Sequence, residues 1–290
     1  MRVKMILIDY NGIAISNIVT QKLEIEESFI RHMILNSIRM HVSRFKEKYG
    51  TDNIVIAADG RRNWRYEAFP QYKAKRKTNR EESKIDWTEV FRITNLVFEE
   101  IGENLPYKTI KIEECEADDI IAQLALLTQE FGRGEPVMII SGDKDFVQLQ
   151  KYNNVAQYSP VQKKFIKEDN PRRQLLELIL KGDTSDGVPN ILSDDNVFVE
   201  GIRQTPLSQK KIDEIIKDLS DGELLYAASW YRNYQRNKKL IDLTETPEHL
   251  KQEIINNFDR QVVGGKKSKI LPYLIEKRCR QLVDSIGDFI

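Results

Sequence analysis

The segment VKMILIDYNG, residues 3–12, places a run of large apolar residues directly before an aspartate. Further runs of this kind, rich in β-branched residues, are Asn53–Ala58, Tyr107–Ile112 and Pro136–Ser141. Stretches with apolar residues three and four positions apart separate the runs and predict the helices Glu24–Tyr49, Trp87–Ile101 and Glu116–Phe131. Because strands separated by helices need crossover connections, the sequence predicts an α/β domain with a parallel sheet covered on both faces.

The strand pattern ends near Asn170, and the remainder of the chain predicts helices joined by segments rich in Gly, Pro and Asp. These helices are Pro171–Lys181, Ser208–Leu219, Asp221–Arg236, Pro247–Phe258 and Ser268–Val283. We therefore expect two domains, an α/β domain at residues 1–180 and a smaller helical domain at residues 181–290.

Composition excludes several classes of protein. With 290 residues, 40% of them hydrophobic, the chain can bury a sizeable core and is not a disordered protein. The 45 basic and 45 acidic residues give no net charge, so any surface for a polyanion must be local. Two cysteines without metal-ligand or redox spacing disfavour a disulfide scaffold and a thiolate zinc site. The chain shows no secretion signal and no membrane-spanning run, and we expect a cytoplasmic protein.

Acidic residues follow the predicted strands at the point where each strand ends. Asp9 follows the first strand and Asp59 the second. Asp143 and Asp145 follow the fourth. In open parallel sheets the crevice beyond the carboxyl ends of the strands is the usual ligand site, so we expect these acids to converge there.

The segment Glu113–Asp119 adds five acids in seven residues at a helix start, among them Glu116, Asp118 and Asp119. The helix dipole alone often explains an acidic first turn and favours each well-placed acid by about 0.3 to 1 kcal/mol. That is too little to offset several carboxylates packed beside the strand-end acids, since such like charges raise each other's pKa or need a counter-cation. Because oxygen ligands suit hard divalent cations, we predict a metal site.

A last acidic pair, Asp183 and Asp186, lies in the segment GDTSDGVP, residues 182–189, where the helical region begins. Taken alone, this segment is typical of a turn with Asx caps. Together with the other carboxylates, the pair would supply the far side of a second metal site.

Residues 61–80 contain eight basic residues and a single acid. The basic residues are Arg61, Arg62, Arg65, Lys73, Lys75, Arg76, Lys77 and Arg80, and aromatic residues including Tyr72 lie among them. A charged run is usually a solvated face, but cations also hold phosphates while aromatic rings stack the bases of single strands. Because this segment follows Asp59, it indicates a site for a phosphodiester.

The acidic motifs occur in the order found in structure-specific 5′ nucleases, and the chain resembles that family over nearly its whole length. The family includes flap endonucleases and the 5′ exonuclease domains of bacterial DNA polymerases. The motifs are Asp9, Asp59, EADD at residues 116–119, SGDKDF at residues 141–146 and GDTSD at residues 182–186. The elements Ile8-Asp9-Tyr10, Tyr158-Ser159-Pro160 and Ser285–Phe289 look most like the phage members.

The resemblance implies a PIN-like parallel-sheet nuclease domain with a helical arch at about residues 61–90. The helical domain that follows would bind duplex through a modified helix-three-turn-helix, in which Asn190–Glu200 is interposed before Gly201-Ile202-Arg203. The implied activity is metal-dependent 5′–3′ hydrolysis of RNA in RNA–DNA hybrids and of DNA, as exonuclease and flap endonuclease. Its role would be to remove lagging-strand RNA primers during phage DNA replication.

The resemblance also implies roles for individual residues. Two Mg²⁺ ions, replaceable by Mn²⁺, would be held by the acids of these motifs. Asp9, Asp59, Glu116 and Asp118 would serve the first ion, and Asp119, Asp143, Asp145, Asp183 and Asp186 would complete the cluster and the second ion. Lys73 and Arg76 match the cations at the base of the arch and would offset charge on the phosphoryl oxygens. Predicted nucleic-acid contacts are Arg61, Arg62, Arg65, Tyr72, Lys75, Lys77 and Arg80.

The expected partners are RNA–DNA hybrids and branched or flapped duplex DNA, bound by a monomer. The tail IGDFI, residues 286–290, has the form of a peptide that docks into a sliding-clamp groove, and helix packing explains it about as well. The resemblance adds contact with a single-strand-binding protein.

Two alternatives differ in class. A haloacid-dehalogenase-type phosphatase would use Asp9 as nucleophile, although Asn11 stands where that chemistry needs an acid. A non-catalytic nucleic-acid-binding protein on a PIN-like scaffold is the other.

Overall fold

The computed structural model describes residues 4–21, 25–129, 134–220 and 228–290. The strands among them are β1 Met5–Asp9, β2 Ile54–Ala58, β3 Lys108–Lys111, β4 Val137–Ile140, β5 Val155–Ser159 and β6 Lys164–Ile166. The α-helices are α1 Tyr10–Gln21, α2 Glu27–Tyr49, α3 Arg65–Ala68, α4 Ala74–Glu81, α5 Trp87–Asn104, α6 Ala117–Leu127, α7 Pro171–Lys181, α8 Gln209–Ser220, α9 Tyr231–Ile241, α10 Glu248–Arg260, α11 Ile270–Glu276 and α12 Arg280–Val283.

The strands form one sheet in the order β3-β2-β1-β4-β5-β6, which is parallel except for the β5–β6 hairpin. Strand β1 is central, because Ile6 pairs with Ile54 of β2 on one side and with Met138 of β4 on the other. Every residue of β1, β2 and β4 is buried, as expected for parallel strands covered on both faces. The predicted α/β fold is thus confirmed, and the carboxyl ends of three acid-bearing strands lie side by side.

The elements that were not predicted from the sequence include helices α1 and α3 and strands β5 and β6. Helix α1 follows β1 without a break, yet it contains Gly12 and has no acidic first turn or basic last turn to mark it. Strands β5 and β6 form a hairpin at the edge of the sheet. The predicted helix Asp221–Arg236 is wrong in its bounds, since α9 begins at Tyr231 and residues 221–227 lie outside the described residues.

The chain packs as two compact units that are not consecutive in sequence. Unit 1 comprises residues 1–62, 86–168 and 248–290, and unit 2 comprises residues 63–85 and 169–247. These units differ from the predicted division at residue 180. The C-terminal segment packs with the sheet, while the middle of the predicted arch segment packs with the helices.

The C-terminal tail is held on unit 1 by hydrogen bonds to its last three residues. The hydroxyl of Tyr107 donates to the carbonyl of Phe289, whose side chain is fully buried. On α2, Ser43 donates to Asp288 and Lys46 donates to the carbonyl of Ile290. The structure corrects the prediction of a clamp-docking peptide, because the aromatic residue that would dock is part of the core.

A buried ion pair joins three helices of unit 1. The guanidinium of Arg31 on α2 donates to the carboxylate of Glu100 on α5 over 2.7 and 2.9 Å. The hydroxyl of Tyr273 on α11 donates to the same carboxylate over 2.9 Å. Both oxygens of the buried Glu100 carboxylate therefore accept hydrogen bonds, which offset the cost of removing the charge from water.

Unit 2 has its own apolar core, formed where α7, α8 and α9 meet. Ile179, Ile212 and Leu240 contribute one side chain from each of these helices. Phe69 and Tyr72 are buried in the same core, which explains why residues 63–85 belong to this unit. Among the described residues, no helix is long and apolar enough to cross a membrane.

Candidate active site

Asp9 is the last residue of the central strand, and its carboxylate is held from two directions. The backbone N–H of Gly12 donates to Oδ1 over 2.8 Å, and the hydroxyl of Ser141 donates to Oδ2 over 2.7 Å. The pKa of Asp9 is raised to about 6, mainly by burial, with added repulsion from Asp59 and Asp143, while these two hydrogen bonds oppose the rise. Asp9 is therefore a fixed, costly anion whose charge a cation would stabilise.

Asn11 and Gly12, which follow Asp9 in the sequence, support the site, and neither was predicted to have a role in metal binding. A Cβ at Gly12 would lie 2.4 Å from Oδ2 of Asp9, so only glycine allows the carboxylate to fold back over the helix start. The side-chain oxygen of Asn11 accepts from the backbone N–H of Asp59 over 3.1 Å. The sequence signal was the turn-forming pair Asn-Gly directly after the strand.

Asp59 connects the end of β2 to the start of α6. Its Oδ1 accepts from the backbone N–H of Ala117 over 2.9 Å, so the carboxylate caps the amino end of that helix. Gly60 allows the close approach, since a Cβ there would lie 2.0 Å from the carbonyl oxygen of Ile112. The acidic segment 116–119 is thereby brought to the edge of the sheet where Asp59 lies.

The acids at the start of α6 divide into two kinds. Glu116 and Asp119 form a capping box, in which Asp119 accepts from the backbone N–H of Glu116 over 3.0 Å. Asp119 is fully buried, and its carboxylate caps the first turn of α6 in addition to its predicted role in metal binding. Asp118 lies between them and is half-buried.

Asp143 and Asp145 follow β4, and Asp143 caps the 3₁₀ helix Lys144–Lys151 that contains Asp145. Oδ1 of Asp143 accepts from the backbone N–H of Asp145 over 2.9 Å, and the hydroxyl of Ser141 accepts from the backbone N–H of Asp143 over 3.1 Å. Ser141 thus connects Asp143 to Asp9, although the sequence analysis gave it no role. Of the predicted acids, those that follow β1, β2 and β4 and those at the start of α6 all lie at the carboxyl ends of the parallel strands of unit 1.

The donor set at this edge fits a hard divalent cation. The candidate ligands are carboxylate oxygens, which Mg²⁺ and Mn²⁺ prefer. Asp9 is 8% exposed, and Asp59 and Asp143 both repel its charge. A cation would relieve that repulsion, which backbone hydrogen bonds relieve only in part.

The other two predicted metal ligands lie in unit 2, at the turn after α7. Asp183 is buried, and its Oδ1 accepts from the backbone N–H and the hydroxyl of Ser185 over 2.8 and 2.6 Å. Gly182, with φ +71°, precedes it, and a Cβ there would lie 2.3 Å from the carbonyl oxygen of Val188. The proposed membership of Asp183 in a shared metal cluster stays a prediction.

Asp186 is bound by the base of the predicted arch. It accepts from the hydroxyl of Tyr72 over 2.9 Å and from Arg76 over 2.6 Å, and Nζ of Lys73 lies 3.5 Å away. The backbone N–H of Lys73 donates to the carbonyl of Asp186 over 2.7 Å. Lys73 itself has φ +54° and begins α4, so the two predicted catalytic cations are fixed at a tight bend by the carboxylate of Asp186.

The remaining predicted contacts for nucleic acid that the structure describes are either exposed or buried. The exposed contacts are the cations Arg61, Arg62, Lys75 and Arg80, and Arg62 pairs with Glu113 over 3.4 Å. The side chain of Lys77 lies outside the described part of the structure.

Two predicted nucleic-acid contacts, Arg65 and Tyr72, are corrected by the structure. Arg65 is 2% exposed, donates to the carbonyl of Leu240 and packs over the ring of Trp64. Tyr72 is 3% exposed and is held by Asp186, so neither side chain is open to a ligand.

Comparison with known proteins agrees with this fold. Residues 4–175 match the model of the 5′-3′ exonuclease N-terminal resolvase-like domain, and residues 170–289 match that of the T4 RNase H C-terminal domain. The chain is 33% identical to ribonuclease H of Enterobacteria phage T4, over 98% of this chain and 95% of the relative. It is also 33% identical to a 5′-3′ exonuclease of Buchnera aphidicola subsp. Schizaphis graminum, over half of each chain.

Solved structures share the fold at low sequence identity. The T5 5′-exonuclease with bound zinc has a TM-score of 0.60 and 15% identity, covering 88% of this chain and 97% of that one. A T5 flap endonuclease in a pseudo-enzyme–product complex with DNA and metal ions has a TM-score of 0.57 and 14% identity, covering 98% of both chains.

The α/β domain carries acids at the carboxyl ends of three adjacent parallel strands, and the match of residues 4–175 makes it a nuclease domain of the PIN-like, resolvase-like class. The chain belongs to the 5′-3′ exonuclease family, in the branch that carries the T4 RNase H C-terminal domain. It is a 5′-3′ nuclease and a phosphodiester hydrolase, as the resemblance of its motifs predicted.

Proposed function

We propose that this nuclease uses divalent cations to hydrolyse RNA in RNA–DNA hybrids and DNA, as a 5′–3′ exonuclease and a flap endonuclease. Its role would be to remove lagging-strand RNA primers during phage DNA replication. The observation that carries the proposal is the buried carboxylate of Asp9, with Asp59 and Asp143 close enough to raise its pKa. The 33% identity to a phage ribonuclease H over nearly the whole chain supports the choice of substrate.

The unit 1 acids would hold the cations, with Asp9, Asp59, Glu116 and Asp118 serving the first of two Mg²⁺ ions. When bound, such ions supply a nucleophilic water at neutral pH and neutralise the leaving oxygen, and Mn²⁺ would substitute. The chain itself keeps the ligands in place. Gly12 and Ser141 fix both oxygens of Asp9, and the first turn of α6 fixes Asp59. Assignment of Asp119, Asp143, Asp145, Asp183 and Asp186 to the rest of the cluster is part of the same proposal.

Lys73 and Arg76 would offset charge on the phosphoryl oxygens. Their fixed position supports this role, because a cation held before substrate arrives needs little reorganisation. In the structure Asp186 provides that position through an ion pair with Arg76 and a contact with Lys73. The exposed cations Arg61, Arg62, Lys75 and Arg80 would contact the strand nearby.

The test compares Asp143→Asn with Asp52→Asn. The control makes the same change at an exposed residue that precedes β2, at the amino ends of the strands and away from the acids. End-labelled RNA–DNA hybrid, nicked and flapped substrates are incubated with Mg²⁺ and with EDTA. We expect the wild type and Asp52→Asn to release short 5′ products only with Mg²⁺, and Asp143→Asn to be slower by at least about a hundredfold, since a ligand to a catalytic cation is worth several kcal/mol. Equal rates for Asp143→Asn and wild type would refute the metal site.

The alternatives from the sequence are not retained. Family membership makes the chain a phosphodiester hydrolase, and Asn11, which stands in the general-acid position of a dehalogenase-type phosphatase, serves to hold the backbone of Asp59. A monomer, and contact with a single-strand-binding protein, remain part of the proposal. Docking of the tail to a sliding clamp is dropped, because Phe289 is buried.

A further inference from the structure

Unit 2 contains a cavity of about 500 Å³ that none of the roles above uses. Its walls are the segment 201–207, which connects to α8, together with Lys75 of α4, Lys181 of α7 and the ring of Phe198. Most of the lining residues lie in the segment between α7 and α8, which we call the α7–α8 insertion. The volume of the cavity is within the range of sites for small organic ligands, which is roughly 300 to 1,000 Å³.

The described charged residues that line the cavity are all basic. Lys75, Lys181 and Arg203 line it, and none of the described residues that line it is acidic. Lys181 is paired with Glu177 over 2.8 Å. Within the described part of the chain, the side chains of Lys75 and Arg203 have no hydrogen bond to an acid and no ion pair, so no carboxylate neutralises their charge.

An aromatic ring accompanies these cations. Nζ of Lys75 lies 5.4 Å from the centroid of the half-buried Phe198 ring. A ligand with both a phosphate and a flat π-surface matches a site that offers a cation and an aromatic ring together. Nucleotides have this combination, whereas inorganic phosphate and acidic peptides lack the base.

Hydrogen bonds and ion pairs within unit 2 fix the segment that lines the cavity. Asn190 ties the two ends of the insertion together, because its side chain donates to the carbonyl of Thr205 and its backbone N–H donates to Gln204. Asp195 is fixed to α9 by ion pairs with Arg232 and Arg236. A site organised in advance loses less free energy to ordering when a ligand binds.

We propose that this cavity binds one nucleotide of the substrate strands, other than the nucleotide being cut, with the base against Phe198 and the phosphate on Lys75 and Arg203. The inference rests on the proposed function, because it takes a nucleic acid to be the ligand. The same chemistry is present in a free nucleotide, and the test separates the two sources.

The test measures dissociation constants for a fluorescent flapped duplex in EDTA, which prevents cleavage. The cavity variants are Phe198→Leu and Arg203→Gln. The controls are Val199→Ala, an exposed neighbour in the same turn, and Lys210→Gln, an exposed cation on α8 outside the cavity. We expect each cavity variant to bind at least about fivefold more weakly, in line with the loss of one stacked base or phosphate contact, and each control to change less than about twofold. Melting temperatures show whether every variant is folded.

A second measurement identifies stacking. Abasic sites are introduced one at a time along the duplex and flap, and each is bound by the wild type and by Phe198→Leu. The proposal predicts one position at which the abasic site weakens wild-type binding but has no further effect on Phe198→Leu. Folded cavity variants that bind like the controls would overturn it, as would a loss of affinity that couples to no position. Titration with thymidine monophosphate completes the test, and binding of the free nucleotide without any effect on strand binding would also overturn it.

The failure of this inference is distinct from failure of the proposed function. If the wild type cleaves the substrate with Mg²⁺ but the cavity variants bind it normally, only the cavity assignment is wrong. If the wild type neither binds nor cleaves the substrate, the nuclease proposal is wrong and the cavity assignment falls with it.

Discussion

Replacing Asp9 by asparagine should stabilise the metal-free protein while it abolishes activity. The pKa of Asp9 is raised from 3.8 to about 6, mainly because the carboxylate is buried. A shift of this size corresponds to about 3 kcal/mol. Since the folded protein holds the proton more tightly than the unfolded chain, the stabilisation is fully present below about pH 4 and is lost as the pH rises through about 6. At pH 7.5 the ionised Asp9 therefore destabilises the metal-free fold.

The amide of Asp9→Asn is neutral at every pH and has the size and hydrogen-bonding atoms to meet both Gly12 and Ser141. We expect a melting temperature in EDTA at pH 7.5 that is higher than that of the wild type by on the order of 5 °C. The difference in melting temperature between the two proteins should shrink toward pH 4.5. The titration of all other carboxylates is common to both proteins and cancels in this difference. Asp52→Asn, at an exposed position, serves as control and should match the wild type. A variant that melts below the wild type at pH 7.5, or a difference that does not vary with pH, would refute the reasoning.

Three further outcomes follow from the geometry. Gly12→Ala should reduce Mg²⁺-dependent cleavage by at least about tenfold, because the added Cβ would lie 2.4 Å from Oδ2 of Asp9, a proposed metal ligand. Unchanged rates in a cleavage assay would contradict this. Glu100→Ala should lower the free energy of unfolding by about 1.5 to 3 kcal/mol, since it leaves the buried Arg31 with Glu27 as its remaining ion-pair partner. Denaturant unfolding compared with exposed Glu47→Ala measures the loss. Tyr72→Phe keeps the buried ring but removes the hydrogen bond to Asp186. We expect slower cleavage and a free energy of unfolding within about 1 kcal/mol of the wild type. Unaltered turnover would show that this hydrogen bond has no role in cleavage.

The strands and strand-end acids could be predicted because their signals are local. A buried parallel strand is a continuous apolar run, and Asp9 and Asp59 end such runs directly in the sequence. The order of the strands then brings the acids together without further information. Helix α1 could not be predicted in the same way, since Gly12 weakens the helical signal and is there for close approach to Asp9.

The packing units and the buried cations depend on contacts between distant residues. Arg65 is indistinguishable in sequence from the exposed Arg61 and Arg62. It is buried nevertheless, because its guanidinium donates a hydrogen bond to the carbonyl of Leu240, far along the chain. The docking of Phe289 beside Tyr107 is equally non-local and places the C-terminal segment on the sheet. The base of the arch shows the same effect, because the contact of Asp186 with Tyr72 is not visible in either segment alone.

The most direct test of the metal site is to count bound Mn²⁺ by electron paramagnetic resonance, in the wild type and in Asp59→Asn. The account predicts that the wild type binds Mn²⁺ at pH 7.5, that Mg²⁺ competes for the site, and that Asp59→Asn binds it at least about tenfold more weakly while remaining folded. Absence of saturable Mn²⁺ binding to the wild type, or equal binding by the folded variant, would contradict it.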